Sequence, residues 1–292
     1  MKIKNQILLV VNPISGGIDK SKLIEAVKAE INIRNYSLQI YETSDANDQD
    51  GIEKLIAEFQ PQRILVAGGD GTIQLVADVL KKHDIPIGIL PAGFAHGLAL
   101  NLNLPANLNE QLKVALGDTF FKMDTLQIND RTCLHIADLG INAELIRNFH
   151  NSNIRGKLGY LLHSIPTLIN SEYPFEFEIE INGKQFVQKG ILLAIANARK
   201  FGTGANINPS GKLNDGLFEL ILFKTLNFVE IFKTLNDQII LDPEFAEIIS
   251  TNNARINCKT PVSFQIDGEF IGEISKLVAA IDPFKLEIAV PT

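Results

Sequence analysis

The loop Gly68-Gly69-Asp70-Gly71-Thr72 stands between a short apolar run, residues 64–67, and a stretch in which Ile73, Val76, Ala77 and Leu80 recur at helical spacing. A strand that enters a helix through glycines constrains the fold more than any other segment of this chain. The run is continuously apolar, so it reads as a strand buried on both faces, as in a parallel sheet. Glycines at the junction let the backbone approach a ligand closely and adopt positive φ. The start of the helix offers unpaired N–H groups and a favourable dipole to a phosphate. Asp70 cannot attract phosphate itself; it makes sense as a carboxylate that orients Mg2+ beside phosphates. The plain alternative is a tight strand-to-helix turn capped by an aspartate.

The neighbouring segments repeat the pattern. Apolar runs at 7–11, 38–43 and 85–90 read as further strands, and Leu23/Val27/Ile31 and Ile52/Leu55/Ile56/Phe59 read as amphipathic helices between them. Alternating strands and helices predict a doubly wound α/β domain, helices on both faces of a mostly parallel sheet. Asn12-Pro13-Ile14-Ser15-Gly16-Gly17 follows the first strand, and so falls at the same carboxyl edge of the sheet, where such folds bind ligands. Beyond residue 120 the pattern changes. Residues 120–128 and 133–137 read as strands and 156–169 as a helix. Phe175, Phe177, Ile179 and Ile181 alternate with glutamates and end at Asn182-Gly183, a favoured hairpin turn. Strands at 190–196, 217–223 and 262–266 follow, with two more near the end. The expected organisation is an α/β domain over 1–120 and a β-sandwich domain over 121–292, the last strands being free to return to the first domain.

Several classes of function are excluded or disfavoured. A formal net charge of −7 argues against a nucleic-acid partner. Two cysteines, Cys133 and Cys258, make neither a disulfide framework nor a zinc spacing. No apolar run is long enough to span a bilayer, and the start lacks the core of a signal peptide, so a cytoplasmic location is expected. There is no G-x-x-x-x-G-K-[ST] loop, and Gly69-Asp70-Gly71 continues as Thr72-Ile73-Gln74, without the third glycine of a dinucleotide fingerprint. The protein-kinase motifs are missing too.

Asn-Pro-x-Ser-Gly-Gly followed by Gly-Gly-Asp-Gly-Thr after the third strand resembles the diacylglycerol kinase catalytic-domain family, which includes bacterial lipid kinases and sphingosine and ceramide kinases. The second element alone is shared with NAD kinases and phosphofructokinases. Residues 197–216, with a glycine cluster, a proline and a terminal Asp215-Gly216, and Asp267-Gly268-Glu269 are similar to segments of the lipid kinases. The resemblance implies an NAD kinase/diacylglycerol kinase-like pair of domains with the active site in the cleft between them. It implies ATP held by Asn12, Ser15, Gly16, Gly17, Thr43 and Gly68, Gly69, Asp70, Gly71 and Thr72, with Asp70 and Asp124 in a catalytic Mg2+ network. It further implies a structural Mg2+ on Asp215 with the carbonyls of Lys212 and Leu217, and Asp267 or Glu269 as the base that takes a lipid hydroxyl's proton.

One family motif departs. Where the family reads G-T-x-N-D-x-A-R, this chain has Gly93-Phe94-Ala95-His96-Gly97-Leu98-Ala99-Leu100. Phe94 replaces a hydroxyl and would stack on adenine or fill its pocket; Gly97 replaces an acid and Leu100 an arginine. His96 offers a substitute polar contact or is a plain loop histidine. Asn142 stands where the family often has Asp. Two readings follow: an ATP- and Mg2+-dependent lipid kinase with a remodelled loop, and a non-catalytic lipid- or nucleotide-binding relative. A kinase for a soluble acceptor is a third. A lipid substrate implies transient peripheral membrane contact, for which Arg147, Arg155 and Lys157 form a modest basic patch or a solvated face. The sequence leaves the oligomeric state open, a homodimer included.

Overall fold

The computed structural model describes residues 5–17, 19–44, 46–92, 97–150, 173–201, 205–227, 230, 233–234 and 241–292. Phe94, His96, Arg155, Lys157 and the expected helix at 156–169 lie outside the described residues. Backbone contacts group the chain into two units, Met1–Met123 with Phe284–Thr292, and Asp124–Pro283.

The first unit runs β1 (Gln6–Val11), α1 (Ser21–Ile33), β2 (Ser37–Glu42), α2 (Asp48–Phe59), β3 (Arg63–Gly68), α3 (Asp70–Leu80), β4 (Ile87–Pro91), α4 (Gly97–Asn101) and α5 (Leu108–Ala115). β1 pairs with β2 and β3, and β3 with β4, all in parallel. One set of strand residues, Ile7, Leu9, Val11, Leu65, Ala67 and Leu90, packs against Val27 and Ile31 of α1 and Leu112, Ala115 and Leu116 at α5. The intervening Leu8, Val10, Ile64, Val66 and Ile89 are buried as well, with α2 against β1 and α3 against β3. Helices on both faces explain why these strands are continuously apolar.

α5 is an addition to the sequence reading, although its signal is there. Asn107 accepts N–H bonds from Asn109 and Glu110 as an N-cap, and Leu112 and Ala115 are buried. The helix crosses β4 closely: a Cβ on Gly88 would overlap the Ala115 carbonyl oxygen and Cβ. Because that obstacle is backbone, Gly88→Val is expected to cost about 2–3 kcal/mol of stability, measured by urea unfolding. An unchanged midpoint would mean that α5 can yield.

The second unit is antiparallel. Its elements are β5 (Phe120–Ile128), which begins just before it, β6 (Arg131–Cys133), β7 (Ile136–Gly140), α6 (Ile141–His150), β8 (Phe175–Ile181), β9 (Lys184–Gly190), β10 (Leu192–Ala196), β11 (Lys200–Phe201), β12 (Ala205–Asn206), β13 (Phe218–Phe223), β14 (Ala246–Thr251), β15 (Asn253–Ile266) and β16 (Glu269–Ala289). One layer has the order β14-β13-β10-β7-β15; β15 also carries β8 with β9, and β16 with β5 and β6. β15 serves both layers: Arg255–Cys258 lie on β8 and Phe264–Ile266 on β7. Its register shifts between Asn257 and Val262, the interval that contains Pro261, a residue with no N–H to give a ladder. Phe177, Ile179, Leu193, Ile195, Phe218, Leu220, Phe264 and Ile266 share one core between the layers. The fold class is thus a doubly wound α/β domain followed by a β-sandwich.

The strand expected at 133–137 is broken. β6 ends at Cys133 and β7 starts at Ile136, because the amides between them turn to a side chain rather than to a neighbouring strand. Asn182-Gly183 joins β8 to β9 as expected. β16 is one long strand whose residues from Phe284 onward belong to the first unit, where Ile288 lies beside Ile87 of β4 in parallel.

Candidate functional site

In the first unit, Val11, Glu42, Gly68 and Pro91 end four parallel strands on one edge of the sheet, and the expected nucleotide residues gather there. Asn12 donates its N–H to the Ala67 carbonyl at 3.0 Å, and Thr43 to that of Val11 at 2.8 Å. The Asn12 side-chain oxygen accepts from the amides of Ile14 and Ser15, both at 3.1 Å, which curls the loop over the strand end. The Ser15 hydroxyl donates to the Ala92 carbonyl at 2.9 Å and so fastens this loop to the one after β4. Gly16 and Gly17 have φ of 65° and 63°, a region that opposes a Cβ, and nothing lies within 4 Å of where a Gly17 Cβ would be.

Sequence reading overlooked Lys20. It is 5% exposed and its ammonium donates to the Ser15 carbonyl at 2.6 Å, so a buried cation underlies the glycine turn. Burial of a lysine three residues past a glycine pair has no distinctive sequence signature.

The second loop meets the start of α3. Gly69 is the N-cap and has no side chain with which to cap the helix, and the amides of such a helix start suit an anion. A Cβ at Gly68 would overlap the Thr72 side chain, whereas nothing lies within 4 Å of one at Gly71. Asp70 is engaged: its Oδ2 accepts the Gly97 N–H at 3.0 Å and its Oδ1 that of Leu98 at 3.4 Å. Gly97 therefore offers Asp70 an amide donor at the start of α4.

The second unit holds Asp124, Asp215, Asp267 and Glu269, in two places. Asp124 is fully buried and accepts the Gly216 N–H at 2.7 Å, while its own N–H goes to the Leu213 carbonyl at 2.7 Å. It thus grips the loop that carries Lys212, Asp215 and Leu217. Asp215 is exposed and accepts the Leu217 N–H at 3.1 Å. Asn197 braces the arrangement, donating to the carbonyls of Asp124 and Leu134, both at 2.8 Å.

Asp267 and Gly268 turn β15 into β16 with φ of 49° and 90°. The Asp267 carboxylate points inward, its side chain 2% exposed, and accepts the amides of Leu134 at 2.7 Å and of His135 and Ile136 at 3.0 Å. The first two are the amides that interrupt the strand between β6 and β7. Burial first, then Asp267, pushes the Cys133 thiol well above its ordinary range, so it stays protonated and donates to Asp267 at 3.5 Å. Glu269, two residues on, is exposed at the start of β16.

Two further groups lie behind this turn. Asp138 and Gln265 are buried and hydrogen-bonded to each other, and Asn142 joins them. Burial pushes the Asp138 carboxyl up to about 7, against the opposing pull of Gln265, Asn142 and the Ala143 amide. Arg147 is paired with Glu273 at 2.8 Å and lies over the Phe270 ring at 5.7 Å, which makes it a braced surface residue. Among the described residues no three acidic, histidine or cysteine side chains converge as a metal site, and no helix is long and apolar enough to cross a membrane.

Known proteins bear on these loops. A family model described as the diacylglycerol kinase catalytic domain matches residues 6–128, and one described as the YegS C-terminal NAD kinase beta sandwich-like domain matches residues 136–290. The chain is 30% identical over 214 residues to the "Probable lipid kinase YegS" of Escherichia fergusonii, covering 70% of this chain and 71% of that one. It is 26% identical over 275 residues to the "Probable lipid kinase YegS-like" of Enterobacter sp. (strain 638), covering 90% and 88%. Its fold is similar to that of a diacylglycerol kinase from Bacillus anthracis, with a TM-score of 0.73 at 15% identity over 100% of this chain and 98% of the other. An NAD kinase from Archaeoglobus fulgidus in complex with ATP has a TM-score of 0.54 at 14% identity, covering 97% and 93%. At such identities the two structures speak for the fold alone.

Proposed function

The chain belongs to the diacylglycerol kinase catalytic-domain family with a YegS-type C-terminal sandwich, and from that premise we propose that it is a lipid kinase that moves the γ-phosphoryl group of ATP to a lipid hydroxyl of the diacylglycerol or sphingoid type. The observation that carries this reading is the glycine-lined start of α3 standing at the same sheet edge as the Asn12–Gly17 loop. Amide hydrogens and a helix N-terminus suit phosphates, and glycines leave room for them.

In this reading Asn12, Ser15, Gly16, Gly17, Thr43 and the segment from Gly68 to Thr72 hold the nucleotide. Asp70 orders the loop at α4. Glu269 takes the hydroxyl proton as the oxygen attacks the γ-phosphorus and ADP departs. Asp267 cannot share that task, because three amides and a thiol already occupy its buried carboxylate. The residues fit Mg2+ less well than phosphate. Gly97 brings no carboxylate and both Asp70 oxygens accept amides, so in this reading the cation would arrive as the nucleotide's complex. When bound, it neutralises phosphate charge. Lys212, Asp215 and Leu217 would hold a structural cation, with Asp124 fixing their loop.

The test is transfer from γ-labelled ATP, with Mg2+, into vesicles of a total lipid extract. Chloroform-soluble label is expected, together with cosedimentation of protein and vesicles in a cytoplasmic, peripherally binding enzyme. Label confined to the aqueous phase would mean a soluble acceptor. No label under conditions that saturate nucleotide would favour the second reading, a non-catalytic relative, which the Gly97 substitution and the Asp70 amide bonds motivate.

A further inference from the structure

Gln265 connects the turn that carries Glu269 to a carboxylate in the core of the second unit. It is fully buried on β15, and Asp138 on β7 is 1% exposed. Gln265 Nε2 donates to Asp138 Oδ2 at 2.5 Å, and Gln265 Oε1 accepts the Gly268 N–H at 2.7 Å. Asn142, near the start of α6, donates to the same Asp138 oxygen at 2.6 Å. The Gly268 amide can only donate, so it fixes which way the Gln265 amide faces. Nothing in the packing calls for these groups, since an apolar side chain at 265 would fill the space without the desolvation cost of three buried polar residues.

The turn is therefore held from two sides. Asp267 anchors it to the amides between β6 and β7, and Gln265 holds the very next amide. We propose that Gln265 and Asp138 are positioning residues that fix the start of β16 and so the placement of the Glu269 carboxylate. This rests on the reading of Glu269 as the base. Asp138 acts through Gln265 and touches no substrate. Its buried oxygen orients the amide, and Asn142 keeps that oxygen in place.

Gln265→Leu keeps the core filled and removes the tether. Its Gly268 amide is expected to exchange with solvent about tenfold faster, read by two-dimensional NMR, and kcat to fall about tenfold with the KM for ATP unchanged. The amides of Leu134, His135 and Ile136 should keep their protection. Asp138→Leu should behave in the same way, whereas Asp138→Asn, whose amide oxygen can accept both bonds, should restore slow Gly268 exchange and kcat. These two keep the proposal testable if Gln265→Leu does not fold. Unchanged Gly268 exchange in Gln265→Leu would overturn the tether. A full kcat in Gln265→Leu beside a crippled Glu269→Gln would overturn the positioning role while leaving the base reading intact. A full kcat in Glu269→Gln would sink the base reading and the positioning role with it, but faster Gly268 exchange would still support the tether.

Discussion

Glu269→Gln is expected to lower kcat for phosphoryl transfer by roughly 10²–10⁴, the range that a positioned general base contributes, with folding stability unchanged. The residue is exposed at the start of β16, so glutamine replaces it without leaving a buried group unpaired. Glutamine keeps the shape and hydrogen-bonding reach but cannot take a proton. The KM for ATP should not move, because the nucleotide residues belong to the first unit. Steady-state kinetics on the labelled lipid, beside a urea titration, check both halves. A variant as fast as the wild type would remove Glu269 from the chemistry and return attention to a base supplied by the substrate or by water.

Asp267→Ala is expected to show the opposite profile: a loss of about 3–5 kcal/mol of stability, the cost of breaking a buried charged network. Alanine would strand the amides of Leu134, His135 and Ile136 that donate to this carboxylate, and would place a β-carbon residue with no local hydrogen bond at φ 49°. Asp267→Asn should lose less, since asparagine tolerates this conformation and its oxygen still accepts, though its NH2 faces donors. Denaturant unfolding measures the difference. At low temperature, where the alanine variant remains folded, its activity per folded molecule should exceed that of Glu269→Gln. A stable but inactive Asp267→Ala would reverse the two assignments.

Much of the first unit was legible because its signals are local. An apolar run, a glycine junction and a helical stripe all fall within a few residues at 64–80, and the same grammar recurs at 7–31 and 38–59. Capping at Asn107 is equally local, yet α5 was overlooked because its apolar stripe is short. The second unit hides its determinants in distant pairs. Asp267-Gly268 announces a hairpin turn, but not that its carboxylate serves amides more than a hundred positions earlier in the chain. Asp138 looks like any strand carboxylate until Gln265 is brought to it. Only 262–266 of β15 reads as a strand, and pairing with β8 and β7 reveals a longer one that starts at Asn253, passes Pro261 and is shared by two layers. The Asn12 and Gly68 loops are legible as neighbours because parallel topology places successive strand ends on one edge. What Asp70 does there depends on the backbone of α4, which no residue pattern displays.

The first unit is not contiguous along the chain. Its sheet takes its outer parallel neighbour at β4 from residues 284–292, made after the whole of the second unit. During synthesis the glycine loops at 12–17 and 68–72 are complete early, but their sheet must wait with β4 as a bare edge. Such an edge is open to pairing with other chains. A chain cut short between residues 98 and 283 would keep the glycines at 16, 17, 68, 69 and 71 and still lack the strand that lies beside β4.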